Sequence, residues 1–291
     1  MSAPDPAKIQ IFREHLRQEW TDARTIAAWR KWQAPLAAFS RGATDAILEA
    51  AQLRPGMRVL DLASGVGDPA LALATEVGPS GRVTATDLGP GMFSLAEEIA
   101  RKKAIANIEF REANAESLPF PDASYDVLTC RFGIMFFPDL AKALRECFRV
   151  LKPGGRAVFV AWGKKEQPFF GSTAGILVKH VPVPPAPPDP DGPSMFMFGE
   201  SNRLRHSLEA AGFINVHEEA RIVPGRWPGP LEEFWQQFTE VAAPFRPLLE
   251  QLTPEKKAEA VAEILAALRK FWSGKELTLP LEIVIGVGSR P

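Results

Sequence analysis

Two aspartates and two glycines in this sequence are spaced as in sites that bind a nucleoside. Asp61 lies near the end of an apolar run, and Gly65 and Gly67 follow it closely. Asp87 ends the next apolar run, twenty residues after Gly67. The glycines permit a tight turn and a close approach of the backbone to a ligand, and a carboxylate at position 87 can accept hydrogen bonds from both hydroxyls of a ribose. The spacing predicts a nucleoside crevice at the ends of two neighbouring strands.

The glycine pattern alone does not distinguish among nucleoside cofactors, since Gly-x-Gly-x-x-Ala also occurs in NAD-dependent dehydrogenases. Asp61 favours S-adenosylmethionine (SAM). A dinucleotide loop holds a pyrophosphate, which a carboxylate four residues before the first glycine would repel, whereas SAM carries an ammonium and a sulfonium group. An NAD-dependent oxidoreductase remains the alternative enzyme. A noncatalytic SAM-binding regulatory protein is the alternative from another class.

Apolar strands alternate with helices around these residues. Strands are predicted over residues 58–62, 83–87, 108–112, 125–131 and 157–162, and two more over 213–223 and 281–287. The helices between them are predicted over 70–77, 93–103 and 140–150, with a turn at 152–155. Strands separated by helices of about 10 to 15 residues indicate βαβ units and a parallel sheet covered on both faces.

The segments outside this alternation are predicted to be helical caps. In residues 1–52, Ile9, Phe12, Leu16 and Trp20 are spaced to form one apolar helix face. We expect residues 1–52 to form an N-terminal helical cap and residues 53–291 one sheet domain, with cap insertions near 163–206 and 226–275. The cap helices, together with the apolar residues 195–198, are expected to roof the crevice.

The composition bears on partners and location. There are 34 basic and 35 acidic side chains, a formal net charge of −1, so the sequence lacks the overall positive charge typical of nucleic-acid binding. Cys130 and Cys147 are too few for a metal cluster or a disulfide framework, so no metal is expected. No apolar run approaches the length of a membrane span, and no signal peptide is apparent. We expect a cytoplasmic monomer or homodimer that acts on a small molecule.

Four motifs, in order between residues 57 and 162, resemble those of the UbiE-type methyltransferases of ubiquinone and menaquinone biosynthesis, a group of class I SAM-dependent methyltransferases. They are the loop from Asp61 to Gly67 and residues 110–122, 130–133 and 149–155. Asn114 stands where the family has an acidic residue that contacts adenine. Its amide oxygen can still accept from the adenine amino group, but without charge, so we expect somewhat weaker or differently oriented adenine binding.

The resemblance implies a fold, a cofactor and a set of ligand contacts. The fold is α/β, a Rossmann-like seven-stranded sheet in the order 3-2-1-4-5-7-6, mostly parallel with the last strand antiparallel. SAM is the implied methyl donor and S-adenosylhomocysteine (SAH) the product. The implied cofactor-binding residues are Asp61, Ala63, Ser64, Gly65, Gly67, Asp87, Leu88, Met92, Asn114, Ala115, Glu116 and Arg131.

The methyl acceptor is predicted to be a small aromatic or hydrophobic metabolite, methylated on oxygen, nitrogen or carbon. Its pocket is predicted to include Trp29, Trp32, Phe132, Trp162, Met195 and Met197, although each could instead serve only in packing between cap helices. Among the four histidines, His15 and His180 are the best placed candidates for a general base, and a structural role explains each more simply. No catalytic residue is assigned, because alignment alone can drive transfer from a sulfonium.

Overall fold

The structure, a computed structural model, describes residues 6–185, 192–242 and 245–291. Its first three helices are α1 (Pro6–Thr21), α2 (Ala23–Phe39) and α3 (Arg41–Ala51). Asp22 begins α2, where its side chain accepts hydrogen bonds from the backbone N–H groups of Arg24 and Thr25 at 2.8 and 3.1 Å. Such a cap satisfies N–H groups that have no partner within the helix.

Seven strands form one sheet in the order β3-β2-β1-β4-β5-β7-β6. The first five strands pair in parallel, and β7 is antiparallel to both β5 and β6. The predicted Rossmann-like order and the antiparallel seventh strand are therefore confirmed. The strands are β1 (Arg58–Leu62), β2 (Arg82–Asp87), β3 (Ile108–Glu112), β4 (Tyr125–Arg131), β5 (Leu151–Trp162), β6 (Ile214–Trp227) and β7 (Leu277–Ser289).

Helices cover both faces of the sheet, and successive strand residues belong to two different cores. Val59 packs in one core and Leu60 in the other, which is the alternation expected of a strand buried on both sides. The remaining helices are α4 (Ala70–Val77), α5 (Phe93–Lys102), α6 (Leu140–Val150), α7 (Pro168–Gly171), α8 (Ala174–His180), α9 (Arg203–Ala210), α10 (Leu231–Val241), α11 (Arg246–Glu250) and α12 (Pro254–Leu268).

Several elements differ from their predicted bounds. Strand β5 begins directly after α6, and the predicted turn at 152–155 is a bulge within it: Tyr125 of β4 pairs with Leu151, and Val127 pairs with Arg156. Strands β6 and β7 are longer than predicted because they pair with each other from Ile214 to Trp227. Residues 186–191, in the middle of the predicted insertion over 163–206, lie outside the described residues.

Helices also occupy the segments predicted as caps. Helices α7 and α8 fall within 163–206, and α10, α11 and α12 fall within 226–275. Helix α2 buries Trp32 and Phe39 in the same core as the sheet, so it is part of the folded body as well as a cover. Within the described ranges, no helix combines the length and apolar character needed to cross a membrane.

Candidate active site

The loop after β1 holds its backbone in a conformation suited to small residues. Gly65 and Gly67 have φ angles of +51° and +90°, and Ala63 has φ +54°. A Cβ atom on Gly67 would lie 2.9 Å from the Cβ of Ala96, so a larger residue there would be both strained and crowded. Non-glycine residues with positive φ are uncommon and concentrate at functional sites. Gly65 lines the crevice and has no atom within 4 Å of an added Cβ, whereas Gly67 packs against Ala96 and is not part of the crevice wall.

Asp61, at the end of β1, is fully buried. One carboxyl oxygen accepts a hydrogen bond of 2.6 Å from the Thr129 hydroxyl, and the other has no partner among the described residues. Burial raises the pKa of Asp61 from its usual 3.8 to about 7, against the opposing effect of the hydrogen bond from Thr129. Asp61 is not part of the crevice wall, and its contact with a cofactor stays a prediction. Its buried carboxyl can still respond to a cation bound nearby.

Asp87, at the end of β2, lines the crevice and is half-buried. Its two oxygens accept hydrogen bonds of 2.9 Å from the backbone N–H groups of Gly65 and Gly89. Desolvation raises the pKa of this carboxyl, and the backbone donors oppose the rise. Each carboxylate oxygen has a further lone pair, so the group can accept additional hydrogen bonds from ligand hydroxyls.

The segment after β3 forms the next part of the wall, with Asn114 and Ala115 lining the crevice. The side-chain oxygen of Asn114 accepts a 2.9 Å hydrogen bond from the backbone N–H of Glu116. The Glu116 carboxylate is directed elsewhere: it accepts from the guanidinium of Arg13 and, at 3.0 Å, from the backbone N–H of Asp139. Glu116 is not part of the crevice wall, and its contact with a cofactor stays a prediction.

Arg131 and Asp68 form a charged pair in the wall. The guanidinium of Arg131 lies 3.0 Å from an Asp68 carboxylate oxygen and donates a 2.7 Å hydrogen bond to the Asp68 carbonyl. Asp68 also accepts a hydrogen bond of 3.1 Å from the hydroxyl of Thr44 on α3. Sequence reasoning did not select Asp68 as a site residue, although its place directly after Gly67 at the start of a helix was a usable signal.

Apolar and aromatic residues complete the crevice wall. The crevice contains about 1210 Å³ of empty space, a volume that includes the solvent at its mouth. Helices α1 and α2 contribute Leu16, Trp20, Trp29, Gln33, Leu36 and Ala37, and Ser40 follows α2. The loops after β2 and β4 contribute Leu88, Met92, Phe132, Phe136, Phe137 and Pro138.

A model of the ubiE/COQ5 methyltransferase family matches residues 41–184, the region that contains β1 to β5 and the polar residues of the crevice wall. This part of the chain is similar to that family of methyltransferases.

Curated relatives of this chain include two ubiquinone/menaquinone biosynthesis C-methyltransferases UbiE. The protein from Brucella anthropi is 45% identical over 118 residues, which are 40% of this chain and 45% of that protein. The protein from Bartonella tribocorum is 36% identical over 168 residues, which are 55% of this chain and 65% of that protein. The chain thus spans about half to two thirds of the length of these relatives.

Among solved structures, the YcgJ protein from Bacillus subtilis has a similar fold. The TM-score is 0.56 at 22% sequence identity, and the match covers 86% of this chain and 98% of that chain. This likeness extends beyond the region matched by the family model and supports the fold over most of the chain.

Not all the residues predicted for the acceptor pocket lie in the crevice wall. Trp29 and Phe132 do. Trp32 instead packs on Trp227, with ring centroids 5.7 Å apart, and donates a 2.7 Å hydrogen bond to Glu240. Trp162 lies behind the wall, stacked on Phe132 with centroids 4.2 Å apart.

The two methionines predicted for the pocket also lie away from it. Met197 is buried in the core that contains Leu60, and Met195 packs partly buried against both cores. Neither residue lines the crevice. The expected roof is therefore formed by α1 and α2 and not by residues 195–198.

Both candidate histidine bases lie outside the crevice wall. The His15 side chain is 71% exposed, with Glu19 at 3.9 Å. The His180 ring nitrogen lies 2.9 Å from a carboxylate oxygen of Glu263 on α12. These partners agree with structural or surface roles.

Proposed function

We propose that the chain transfers a methyl group from SAM to a small aromatic or hydrophobic metabolite. The observation that carries this proposal is a crevice wall that combines polar and aromatic side chains. Asp87 and Asn114 suit the hydroxyls and base of a nucleoside. Trp20, Trp29 and Phe136 suit a flat or apolar molecule.

Residues at the crevice fit SAM in three respects. The positive φ of Gly65, where an added Cβ would meet no atom within 4 Å, leaves room for close approach of a ligand to the backbone. Asp87 has lone pairs available for the two ribose hydroxyls, and Asn114 retains one for the adenine amino group. The buried carboxyl of Asp61, with one unpaired oxygen, suits a site that receives a positively charged ligand. A pyrophosphate gains nothing from these carboxylates, which disfavours the NAD-dependent alternative.

SAM, when bound, supplies a methyl group on a sulfonium that is already a good leaving group. The protein then has to position the acceptor in line with the methyl–sulfur bond and to exclude water. Orientation of this kind can lower the activation barrier of methyl transfer by about 7 to 11 kcal/mol. Helices α1 and α2 carry aromatic and aliphatic side chains that line the crevice, so we assign them to acceptor positioning and water exclusion. We assign no histidine base, since His15 and His180 are outside the wall.

The wider organisation follows from this function. We propose that residues 1–52 act as the cap and residues 53–291 as the SAM-binding domain. The acceptor is a small molecule, and the chain works in the cytoplasm as a monomer or homodimer without nucleic acid. Gel filtration with light scattering would measure the oligomeric state, and a particle larger than a dimer would contradict it.

Calorimetry with three ligands tests the cofactor assignment. SAM and SAH should bind with one site per chain, and NAD should give no binding heat. Binding of NAD without binding of SAM would overturn the proposal in favour of an oxidoreductase. The Asp61→Asn variant is an informative comparison, because it removes the carboxylate charge and keeps the shape of the side chain, and this loss of charge should weaken SAM binding.

A further inference from the structure

We propose that Glu116 is a positioning residue that couples cofactor binding to closure of helix α1, through its ion pair with Arg13. This inference rests on the proposed function, since it concerns SAM and SAH in the same crevice. Its starting observation is that a nearly buried carboxylate, 2% exposed, is paired with an arginine 103 residues earlier in the chain.

Glu116 connects three segments that border the crevice, two through its carboxylate and one through its backbone N–H. One oxygen accepts from the guanidinium of Arg13 on α1. The other accepts the backbone N–H of Asp139 at 3.0 Å, directly after the wall residues Phe137 and Pro138. The backbone N–H of Glu116 donates a 2.9 Å hydrogen bond to the side-chain oxygen of Asn114, the residue proposed to contact adenine. A displacement of any one of these segments should therefore change the contacts that Glu116 makes with the other two.

The ion pair between Arg13 and Glu116 also fixes the rotation of α1 about its own axis. Arg13, Leu16 and Trp20 are three and four residues apart in sequence, so they lie along one face of the helix. Leu16 and Trp20 line the crevice. An ion pair that fixes Arg13 thus directs these two apolar side chains toward the bound ligands.

Loss of the ion pair between Arg13 and Glu116 should be energetically unfavourable, because the Glu116 carboxylate is buried. Removing one partner of a buried pair leaves an uncompensated charge, which is strongly unfavourable. Release of Arg13 would require the Glu116 carboxylate to be solvated, and this favours opening of α1. Cofactor contact with Asn114 orders the turn that carries Glu116, so SAM should favour the closed helix. By linkage, closure of α1 should strengthen SAM binding by the same factor.

A neighbouring ion pair offers a matched control. Arg17, one turn further along α1, lies 3.4 Å from Glu112 at the end of β3, but these side chains are 59% and 49% exposed. Exposed pairs contribute little, because water screens them. The two pairs link the same helix to the same region of the sheet and differ mainly in burial and in the contact with Asn114.

The first test is calorimetric titration of SAH into the full chain carrying Arg13→Gln, Glu116→Gln, both changes, or Arg17→Gln. Each buried-pair variant should bind SAH about 10-fold more weakly, within the 5- to 150-fold range typical of coupling between sites. The double variant should lose no more than either single variant, and Arg17→Gln should change affinity less than about 2-fold. Arg13→Lys, which keeps the charge, should recover part of the loss. Wild-type affinity in both single variants would overturn the proposal.

Hydrogen exchange separates coupling from a merely structural role. SAH should slow exchange of the α1 amides and of the loop at residues 63–67 in the wild type. In Arg13→Gln, saturating SAH should still slow the loop and should no longer slow α1. Equal protection of α1 in both proteins would overturn the coupling. A wild-type chain that binds no SAH would instead refute the proposed function, so the two failures are distinguishable. If Glu116→Gln does not fold, Arg13→Gln and Arg13→Lys carry the same test.

Discussion

The carboxylate of Asp87 accepts a 2.9 Å hydrogen bond from the backbone N–H of Gly65, so the end of β2 holds the glycine loop that follows β1. A second bond, from the N–H of Gly89, fixes the carboxylate from the other side. Asp87 therefore has two functions in the proposed site. It shapes the loop, and it presents oxygen atoms to the ribose.

Replacement of Asp87 should weaken cofactor binding by a measurable and graded amount. Asp87→Ala removes the acceptor for both ribose hydroxyls and for Gly65, which should cost about 1.5 to 3 kcal/mol of SAH binding free energy. Asp87→Asn keeps one acceptor oxygen and should lose less. Titration calorimetry measures both variants. Unchanged affinity in Asp87→Ala would show that the ribose binds elsewhere.

Asp61 should make the stability of the protein depend on pH. Its pKa is about 7 in the folded protein and 3.8 in an ordinary environment, so between these values the folded chain holds a proton that the unfolded chain has released. Stability should fall as pH rises through this window and level off above about pH 7. Asp61→Asn imitates the protonated group, so it should gain stability relative to the wild type from pH 5 to pH 8. Urea unfolding at both pH values measures the gain, and a constant difference between the two proteins would contradict it.

Trp29 and Trp32 should respond differently to truncation, although they are one helical turn apart on α2. Trp32 is core, and Trp32→Ala should cost about 3 to 5 kcal/mol of unfolding free energy. Trp29 lines the crevice and is only half-buried, so Trp29→Ala should cost less stability and should reduce turnover of the acceptor. Urea unfolding and a methyl-transfer assay provide the two readouts. A larger stability loss for Trp29→Ala would reverse the assignment.

Two N-terminal deletions of different length should distinguish helix α1, which covers the crevice, from helix α2, which is also part of the core. Deleting residues 1–40 would strip Trp32 and Phe39 from the main core, so that deletion should unfold the protein. Deleting only residues 1–21 removes α1 and leaves α2 with its cap at Asp22. The shorter deletion should stay folded, bind SAH more weakly and lose turnover. A folded protein with full affinity and full turnover would assign α1 to stability or assembly instead.

Elements with strong local signals could be predicted from the sequence. Residues 58–62 and 125–131 were predicted as strands with the bounds that β1 and β4 have, because apolar runs there are bounded by turn residues. Strand β6 extends further than predicted, through Pro224 and Gly225, which pair with Pro280 and Leu279 of β7. Proline and glycine ordinarily indicate the end of a strand. An edge strand tolerates them, and a local pattern does not show which strand will be at the edge.

The site was predictable where it depends on strand ends and not where it depends on distant packing. Gly65, Asp87 and Asn114 follow three neighbouring strands, so the sheet topology brings them together. The face of α2 toward the crevice could not be inferred, because Trp29 and Trp32 are both aromatic and only the neighbouring Trp227 places one of them in the core. The partner of Glu116 is 103 residues away, and no local spacing connects the two.

Methyl transfer itself is tested most directly by incubating the full chain with SAM labelled on the methyl group and a library of small aromatic and apolar acceptors. The account predicts that label moves to at least one acceptor, that one SAH forms for each methylated product, and that Asp87→Ala slows the reaction at limiting SAM. Tight binding of SAM with no transfer of label to any acceptor would contradict it, and would indicate a SAM-binding protein that is not a methyltransferase.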